Sequence, residues 1–77
     1  MKEESKHLVK DDAIKTLTPR ETEVFYMLLN GMKAKEIAAK TSVTVWGANY
    51  YIKQIYRKLS VHSKVDLVLQ YYNYRQP

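Results

Sequence analysis

The chain is short, basic and free of cysteine, and these properties exclude several classes of chemistry. Its 77 residues form one small domain, and without cysteine there is no disulfide framework, thiolate zinc site or thiol nucleophile. No apolar run approaches the ~20 residues of a membrane helix, and the N-terminus lacks the apolar core of a secretion signal. We therefore expect a soluble cytoplasmic protein with no membrane partner.

The net charge of +5 is concentrated in one part of the chain. Residues 1–16 contain equal numbers of basic and acidic side chains, so the whole excess lies in residues 17–77. Within residues 33–64 there are seven basic side chains and a single acid, Glu36. Such a segment is typical of a protein that binds a polyanion. The alternative is a solvated face on an ordinary basic domain, and charge alone does not separate the two.

Local signals predict an all-α fold that follows a short N-terminal arm. Residues 1–16 are mostly polar and are interpreted as a flexible or partly helical arm ahead of a domain at 17–77. The chain contains only two Gly and two Pro, which argues against a β fold with many turns.

The first helix of the domain has a well-marked beginning and end. Thr18 is a good N-cap, Pro19 suits the first helical position, and Glu21 completes a capping box. Gly31 supplies the left-handed residue that ends the helix. Apolar residues recur at helical spacing, with a hydrophobic staple before the cap: Leu17, Val24, Phe25, Met27 and Leu28.

Two further helices follow with a tight break between them. The second spans about Lys33 to Lys40, Thr41 and Ser42 interrupt the pattern, and the third covers about residues 45–59 after the N-cap Thr44. The third helix has one predicted buried stripe: Ala48, Ile52, Ile55 and Leu59. Its remaining positions form the predicted outward face: Trp46, Asn49, Tyr50, Lys53, Gln54, Arg57 and Lys58. This order is typical of a helix-turn-helix, whose second helix can enter the major groove of DNA.

A fourth helix is predicted from the N-cap Ser63 to about Tyr74, and it carries two apolar stripes. One stripe is assigned to the core: Val65, Val68, Leu69 and Tyr72. The other is assigned to an exposed surface: Leu67, Tyr71 and Tyr74. Because a small domain covers only one stripe, we expect the second to mediate self-association. The alternative is that these tyrosines simply tolerate exposure at a fraying chain end.

Several of these segments together carry a family resemblance. They are the stretch Leu17-Thr18-Pro19-Arg20-Glu21-x-Glu23-Val24, Gly31, Lys35-Glu36-Ile37-Ala38, Val43-Thr44, Ile55-Tyr56-x-Lys58-Leu59 and Val61. From Leu17 to about Tyr72 the chain resembles the LuxR/GerE-type helix-turn-helix domain of transcription regulators. The resemblance implies a four-helix domain whose third helix reads double-stranded DNA and whose fourth helix forms a homodimer. With only a short arm after Met1, the chain looks like the standalone GerE-like class, without a built-in switch.

Carried over by position, the resemblance implies specific contacts. Base edges would be contacted by Asn49, Tyr50 and Lys53. Phosphates would be contacted by Lys33, Lys35, Thr44, Trp46, Arg57 and Lys58. The dimer interface is assigned to the second apolar stripe of the fourth helix, which contains Leu67, Tyr71 and Tyr74. These residue types suit the roles, because Asn pairs with adenine, Lys reaches guanine acceptors, and an aromatic ring packs on a thymine methyl.

Five positions depart from the family pattern. Gly47-Ala48 replaces the usual Thr-Val, Tyr51 replaces a His, Lys33 replaces a Ser/Thr cap, and Lys64 replaces an Arg. We expect these changes to affect DNA affinity and sequence preference but not the fold. They also motivate an alternative function, in which the same fold is a protein-interaction module that binds another regulator or RNA polymerase.

Other functions have little support in the sequence. His7 and His62 are isolated and lack cysteine partners, so we predict no metal site and no cofactor. No nucleophile triad, paired carboxylates or Gly-rich phosphate loop is visible, so we do not expect an enzyme. Stacking of tyrosines on single-stranded bases and a sigma-factor region are smaller alternatives. We expect a nucleoid-associated protein in the cytoplasm.

Overall fold

The computed structural model describes residues 10–75, and this part of the chain consists of helices joined by short turns. Residues 10–15 are helical, and no strand occurs between residues 10 and 75. Four α-helices follow, and a 3-10 turn extends the last one: α1 (Pro19–Leu29), α2 (Ala34–Thr41), α3 (Val45–Leu59), α4 (Lys64–Tyr71) and the turn Tyr72–Tyr74. The predicted all-α class is confirmed.

The capping box that begins α1 forms as predicted. The backbone N–H of Glu21 donates to the Thr18 hydroxyl oxygen at 3.2 Å, and the Thr18 N–H donates to the Glu21 carboxylate at 2.9 Å. Pro19 occupies the first turn, where its missing N–H would have had no helical acceptor. Gly31 follows the helix with φ of +85°, a conformation that costs glycine little because it has no Cβ.

The turn of the helix-turn-helix lies between α2 and α3. Ser42 has φ of +58° and ends α2, one residue later than the sequence predicted. The Arg20 guanidinium donates to the Thr41 carbonyl at 2.6 Å, so a side chain from α1 satisfies one free carbonyl at this helix end. Thr44 then caps α3 by accepting a hydrogen bond from the Gly47 N–H at 2.9 Å.

One stripe of α3 is buried in the core, as predicted. Its four residues are at most 9% exposed: Ala48, Ile52, Ile55 and Leu59. Through this stripe α3 packs against both α1 and α2, and Phe25 and Ile37 supply fully buried side chains to the same core. The stripe therefore fixes which face of α3 is turned outward.

The predicted orientation of α4 is wrong. Leu67 and Tyr71 are buried, at 0% and 2% exposure, while Leu69 is 75% exposed. The Tyr71 ring packs edge-on against Phe25, with 5.8 Å between ring centroids. The Lys64 ammonium donates to the Gly31 and Met32 carbonyls at 3.0 and 2.7 Å. Because positions 64, 67 and 71 share one helix face, this hydrogen bonding and the ring packing together turn Leu67 and Tyr71 inward.

Residues 10–15 pack against the C-terminal end of the fold. The Lys10 ammonium donates to the Gln70 carbonyl at 2.8 Å and lies 5.6 Å from the centre of the Tyr71 ring. The Tyr74 hydroxyl donates to the Asp11 carboxylate, which raises the pKa of Tyr74 to about 12. Tyr74 is therefore half-buried rather than exposed. Residues 1–9 of the predicted arm lie outside the described part, and the domain boundary at residue 17 stays a prediction.

An ion pair joins α1 to the end of α3. The Lys58 ammonium lies 2.7 Å from the Glu21 carboxylate, whose side chain is only 7% exposed, and it also donates to the Thr16 carbonyl at 3.3 Å. Burial alone would raise the pKa of Glu21. The hydrogen bonds from Lys58 and Thr18 and the Lys58 charge outweigh burial and hold this pKa below its ordinary value of 4.5.

The corrected orientation of α4 predicts opposite results for two neighbouring leucines. Leu67→Ala opens a cavity in the core and should lower the free energy of unfolding by about 2–5 kcal/mol. Leu69→Ala, on the same helix, removes an exposed side chain and should change it by less than about 0.5 kcal/mol. Urea unfolding of dilute protein measures both, and a larger effect at Leu69 would contradict the orientation seen here.

The Glu21–Lys58 pair predicts a specific loss of stability in acid. Folding lowers the pKa of the Glu21 carboxyl, so this group contributes its full stabilisation at pH values above 4.5, its pKa in the unfolded chain. The contribution disappears as the pH falls through the pKa of the folded state. Glu21→Gln should cost about 1–2 kcal/mol at pH 7 and lose less stability than the parent between pH 6 and pH 3.

Glu23→Gln is the matched control for Glu21→Gln, because Glu23 is 61% exposed in its pair with Arg20. It should change the free energy of unfolding at pH 7 by less than about 0.5 kcal/mol. Thermal unfolding over the same pH range measures both variants. An acid profile of Glu21→Gln parallel to that of the parent would show that the pair has no such role.

Candidate nucleic-acid interface

The face of α3 opposite the buried stripe is exposed and contains every residue predicted to contact bases. Trp46 is 86% exposed and Tyr50 is 57% exposed, and the exposed residues beside them are Asn49, Lys53 and Arg57. Because these positions are three or four residues apart, their side chains project from one side of the helix. The structure thus brings Asn49, Tyr50 and Lys53 together.

The side chains on this face form two parallel rows. Trp46 and Tyr50, four residues apart, make an aromatic row, and Asn49 and Lys53 make a polar row beside it. The Tyr50 ring meets the Tyr51 ring nearly edge-on, with 5.9 Å between centroids. Tyr51 is half-buried and packs against the core, so the Tyr50 ring is supported from behind. Tyr51 therefore packs into the fold, whereas Tyr50 faces outward.

The N-terminus of α3 offers donors to an anion. The Gly47 and Ala48 N–H groups are bonded to the Thr44 hydroxyl and carbonyl oxygens, both at 2.9 Å. The preceding N–H groups of Val45 and Trp46 belong to the first turn, where a helix provides no acceptor. Together with the helix dipole, such groups favour a phosphate oxygen.

Gly47 allows the Thr44 cap to lie close to the helix. A Cβ built at position 47 would lie 3.3 Å from the Thr44 hydroxyl oxygen and 3.5 Å from the Val43 Cβ. A side chain here would therefore push on the cap or on Val43. The close approach of Thr44 to position 47 therefore goes with the replacement of the usual Thr by Gly47.

Several basic side chains on α2 and α3 are available to an external anion. In residues 10–75, the side chains of Lys35, Lys40 and Lys53 make no hydrogen bond or ion pair, and all three are exposed. The Arg57 guanidinium donates to the amide oxygen of Gln54, a neutral group, so this hydrogen bond is not an ion pair. Lys33 is exposed at the N-cap of α2, where its backbone N–H donates to Glu36 at 2.9 Å.

Two other basic side chains bind within the protein, a role that the sequence does not indicate. Lys58, a predicted phosphate contact, is bound to Glu21, and Lys64 is bound to the carbonyls after α1. Their partners are more than 30 residues away in sequence. No local sequence pattern indicates such contacts. A basic residue next to the apolar stripe of its helix is at most a weak signal of them.

The outward face of α4 is apolar and differs from the predicted dimer surface. We call this set the α4 patch: the exposed Val65, Leu69 and Tyr72, together with the half-buried Val68. Val65 and Tyr72 are 67% and 59% exposed, and a shallow apolar depression lies between Lys64 and Leu69. Of the residues predicted for the dimer interface, Leu67 and Tyr71 are buried and Tyr74 is bonded to Asp11.

Other kinds of site receive no support from the described residues. Between residues 10 and 75 no cluster of three potential metal ligands occurs; His62 is exposed, and His7 lies outside this range. None of the helices in the described range is both long enough and apolar enough to span a membrane.

Two curated proteins resemble this chain along most of its length. The chain is 35% identical over 61 residues to the "Probable transcriptional regulatory protein SgaR" of Hyphomicrobium methylovorum, covering 79% of this chain and 29% of that protein. It is 30% identical over 63 residues to the "Nitrate/nitrite response regulator protein homolog" of Haemophilus influenzae, covering 82% of this chain and 30% of that protein. The chain thus spans less than a third of the length of these relatives. No solved structure gives a significant match.

The family match covers the helices described above. Residues 15–70 match the GerE family, described as bacterial regulatory proteins of the luxR family. This range includes α1 to α3 and most of α4, with both sides of the turn between α2 and α3. The chain therefore belongs to the luxR family of bacterial regulatory proteins.

Proposed function

We propose that this protein is a sequence-specific regulator of transcription that binds double-stranded DNA as a dimer. The observation that carries the proposal is the outward face of α3, which combines aromatic, amide and cationic side chains on a helix held by the core. This activity would place the protein on chromosomal DNA in the cytoplasm.

The dimensions and chemistry of α3 suit the major groove. An α-helix with its side chains is about 10–12 Å across, and the major groove of B-DNA is about 12 Å wide. The Asn49 amide can pair with adenine through two hydrogen bonds, and the Lys53 ammonium can donate to the O6 and N7 acceptors of guanine. Tyr50, held against Tyr51, presents its ring and hydroxyl to the same base edges.

Phosphate contacts would set the position of α3 on the duplex. The free N–H groups at the start of α3, among them that of Trp46, and the side chains of Lys33, Lys35, Thr44 and Arg57 are the proposed donors. Lys58 is left out of this set, because its ammonium already neutralises Glu21. Binding through such contacts weakens steeply as salt rises.

The α4 patch is the proposed dimer surface. It is an exposed apolar face on a helix whose other side is buried in the core. A two-fold dimer would present two copies of α3 to half-sites about one helical turn apart, or a multiple of that distance.

The alternative of a protein-interaction module would use the same aromatic face. The cations favour DNA: Lys35, Lys40 and Lys53 are unpaired among residues 10–75, and Glu36 is the single acid in residues 33–64. A protein partner remains the expected finding if no duplex is retained in the experiment below.

Lys53 should determine which DNA sequences are bound. Selection of the purified protein from a random duplex library should enrich a motif with paired half-sites. Lys53→Ala should weaken binding to that site about tenfold or more and relax the preference at one base pair of each half-site.

Lys15→Ala is the control for Lys53→Ala, since it removes the same charge from an exposed helical position before α1. It should leave both affinity and motif nearly unchanged in a fluorescence-anisotropy titration. Equal effects of the two variants would mean that only overall charge matters. Retention without an enriched motif, lost at higher salt, would reduce the function to nonspecific backbone binding.

The α4 patch should govern self-association. Leu69→Gln replaces an exposed apolar side chain and should weaken the dimer about tenfold or more, because each dimer would lose two buried leucines. Gln70→Ala, on the exposed side next to the patch, should have little effect. Sedimentation equilibrium measures both. A parent protein that stays monomeric at every concentration tested would contradict the dimer.

A further inference from the structure

Trp46 has an exposure that the core does not explain. It is the only tryptophan in the chain and is 86% exposed, although tryptophan is among the most buried residues on average. Its ring makes no aromatic or hydrogen-bonded contact within residues 10–75. A phosphate contact through the backbone N–H of Trp46, in the first turn of α3, would leave the apolar indole surface uncovered.

Trp46 and Tyr50 are both exposed at the N-terminal half of α3. They lie four residues apart, so their side chains are neighbours on the helix surface. The Tyr51 ring, which packs against the core, meets the Tyr50 ring with 5.9 Å between centroids and supports it from behind. Asn49 and Lys53 lie alongside and account for polar recognition.

The surroundings of the aromatic row favour duplex DNA as its occupant. Lys53 lies beside the row on α3 and has no intramolecular partner in the described residues. Lys35 and Lys40, on the neighbouring helix α2, are also exposed and unpaired in the described residues. The major groove presents hydrogen-bonding atoms at every base pair and one apolar group, the C5 methyl of thymine. An apolar row next to a polar row matches that mixture.

We propose that Trp46 and Tyr50 recognise thymine methyl groups in the major groove, so that A·T pairs at these positions are read by apolar contact. The inference rests on the proposed DNA-binding function and adds to it the chemical group that the aromatic row recognises. Asn49 and Lys53 would read hydrogen-bonding atoms of the adjacent base pairs.

Replacing thymine by uracil tests this directly, since uracil pairs with adenine in the same way and lacks only the methyl group. The parent protein is titrated with its selected duplex made with thymine and with the same duplex made with uracil. We expect affinity to fall about fourfold for each methyl contacted, and about fifteenfold for a dimer with one such contact per half-site.

Two variants separate the methyl contact from other effects of uracil. Trp46→Ala and Tyr50→Ala should each bind the thymine duplex more weakly and show a smaller thymine-to-uracil ratio than the parent. Lys53→Ala should weaken binding to both duplexes and keep the parent ratio. Because Trp46 is exposed, its replacement should leave the fold intact, which circular dichroism verifies.

Each outcome decides a different claim. A selected motif with equal affinity for thymine and uracil duplexes would overturn methyl recognition and leave sequence-specific binding standing. A selected motif without A·T pairs in its half-sites would also overturn methyl recognition and leave sequence-specific binding standing. Absence of any selected motif would overturn the proposed function and methyl recognition with it.

Discussion

The burial of one stripe of α3 is the constraint on which the rest of the structure depends. Ala48 and Ile55 are completely buried, so α3 cannot rotate without exposing core side chains, at a cost of about 1.5–3 kcal/mol for each large one. Ala48 is small enough to let the helices approach closely. Because this side of α3 belongs to the core, the outward side is held in a fixed orientation, as a recognition surface requires.

Long side chains strengthen this arrangement by joining helix ends that are distant in sequence. Arg20 binds the last carbonyl of α2, Lys58 neutralises the buried Glu21, and Lys64 binds carbonyls that follow α1. The basic residues therefore fall into two groups. One group satisfies polar groups inside the fold, and the other, which includes Lys35 and Lys53, leaves its charge to the solvent or to an external partner.

The helices and their caps could be predicted because their causes are local. Thr18 and Glu21 are three residues apart, and the buried stripe of α3 is visible as a spacing of three and four. The orientation of α4 could not be predicted in this way, since both of its faces are apolar and only packing on Phe25 and the Lys64 hydrogen bonds choose between them. The structural role of Lys58 could not be predicted either, because its partner Glu21 is distant in sequence. The residues predicted to contact bases lie on one exposed face, and their contacts with DNA stay a prediction.

Nuclear magnetic resonance of the protein titrated with its selected duplex tests the central claim most directly, because it reports which surface is covered. We predict that the largest shifts fall on the first two turns of α3 and on the single indole N–H signal, which belongs to Trp46. Residues of the α4 patch should shift little beyond the changes that dimer formation alone produces. An unshifted indole signal, or shifts confined to the α4 patch, would contradict the assignment of α3 as the DNA-binding surface.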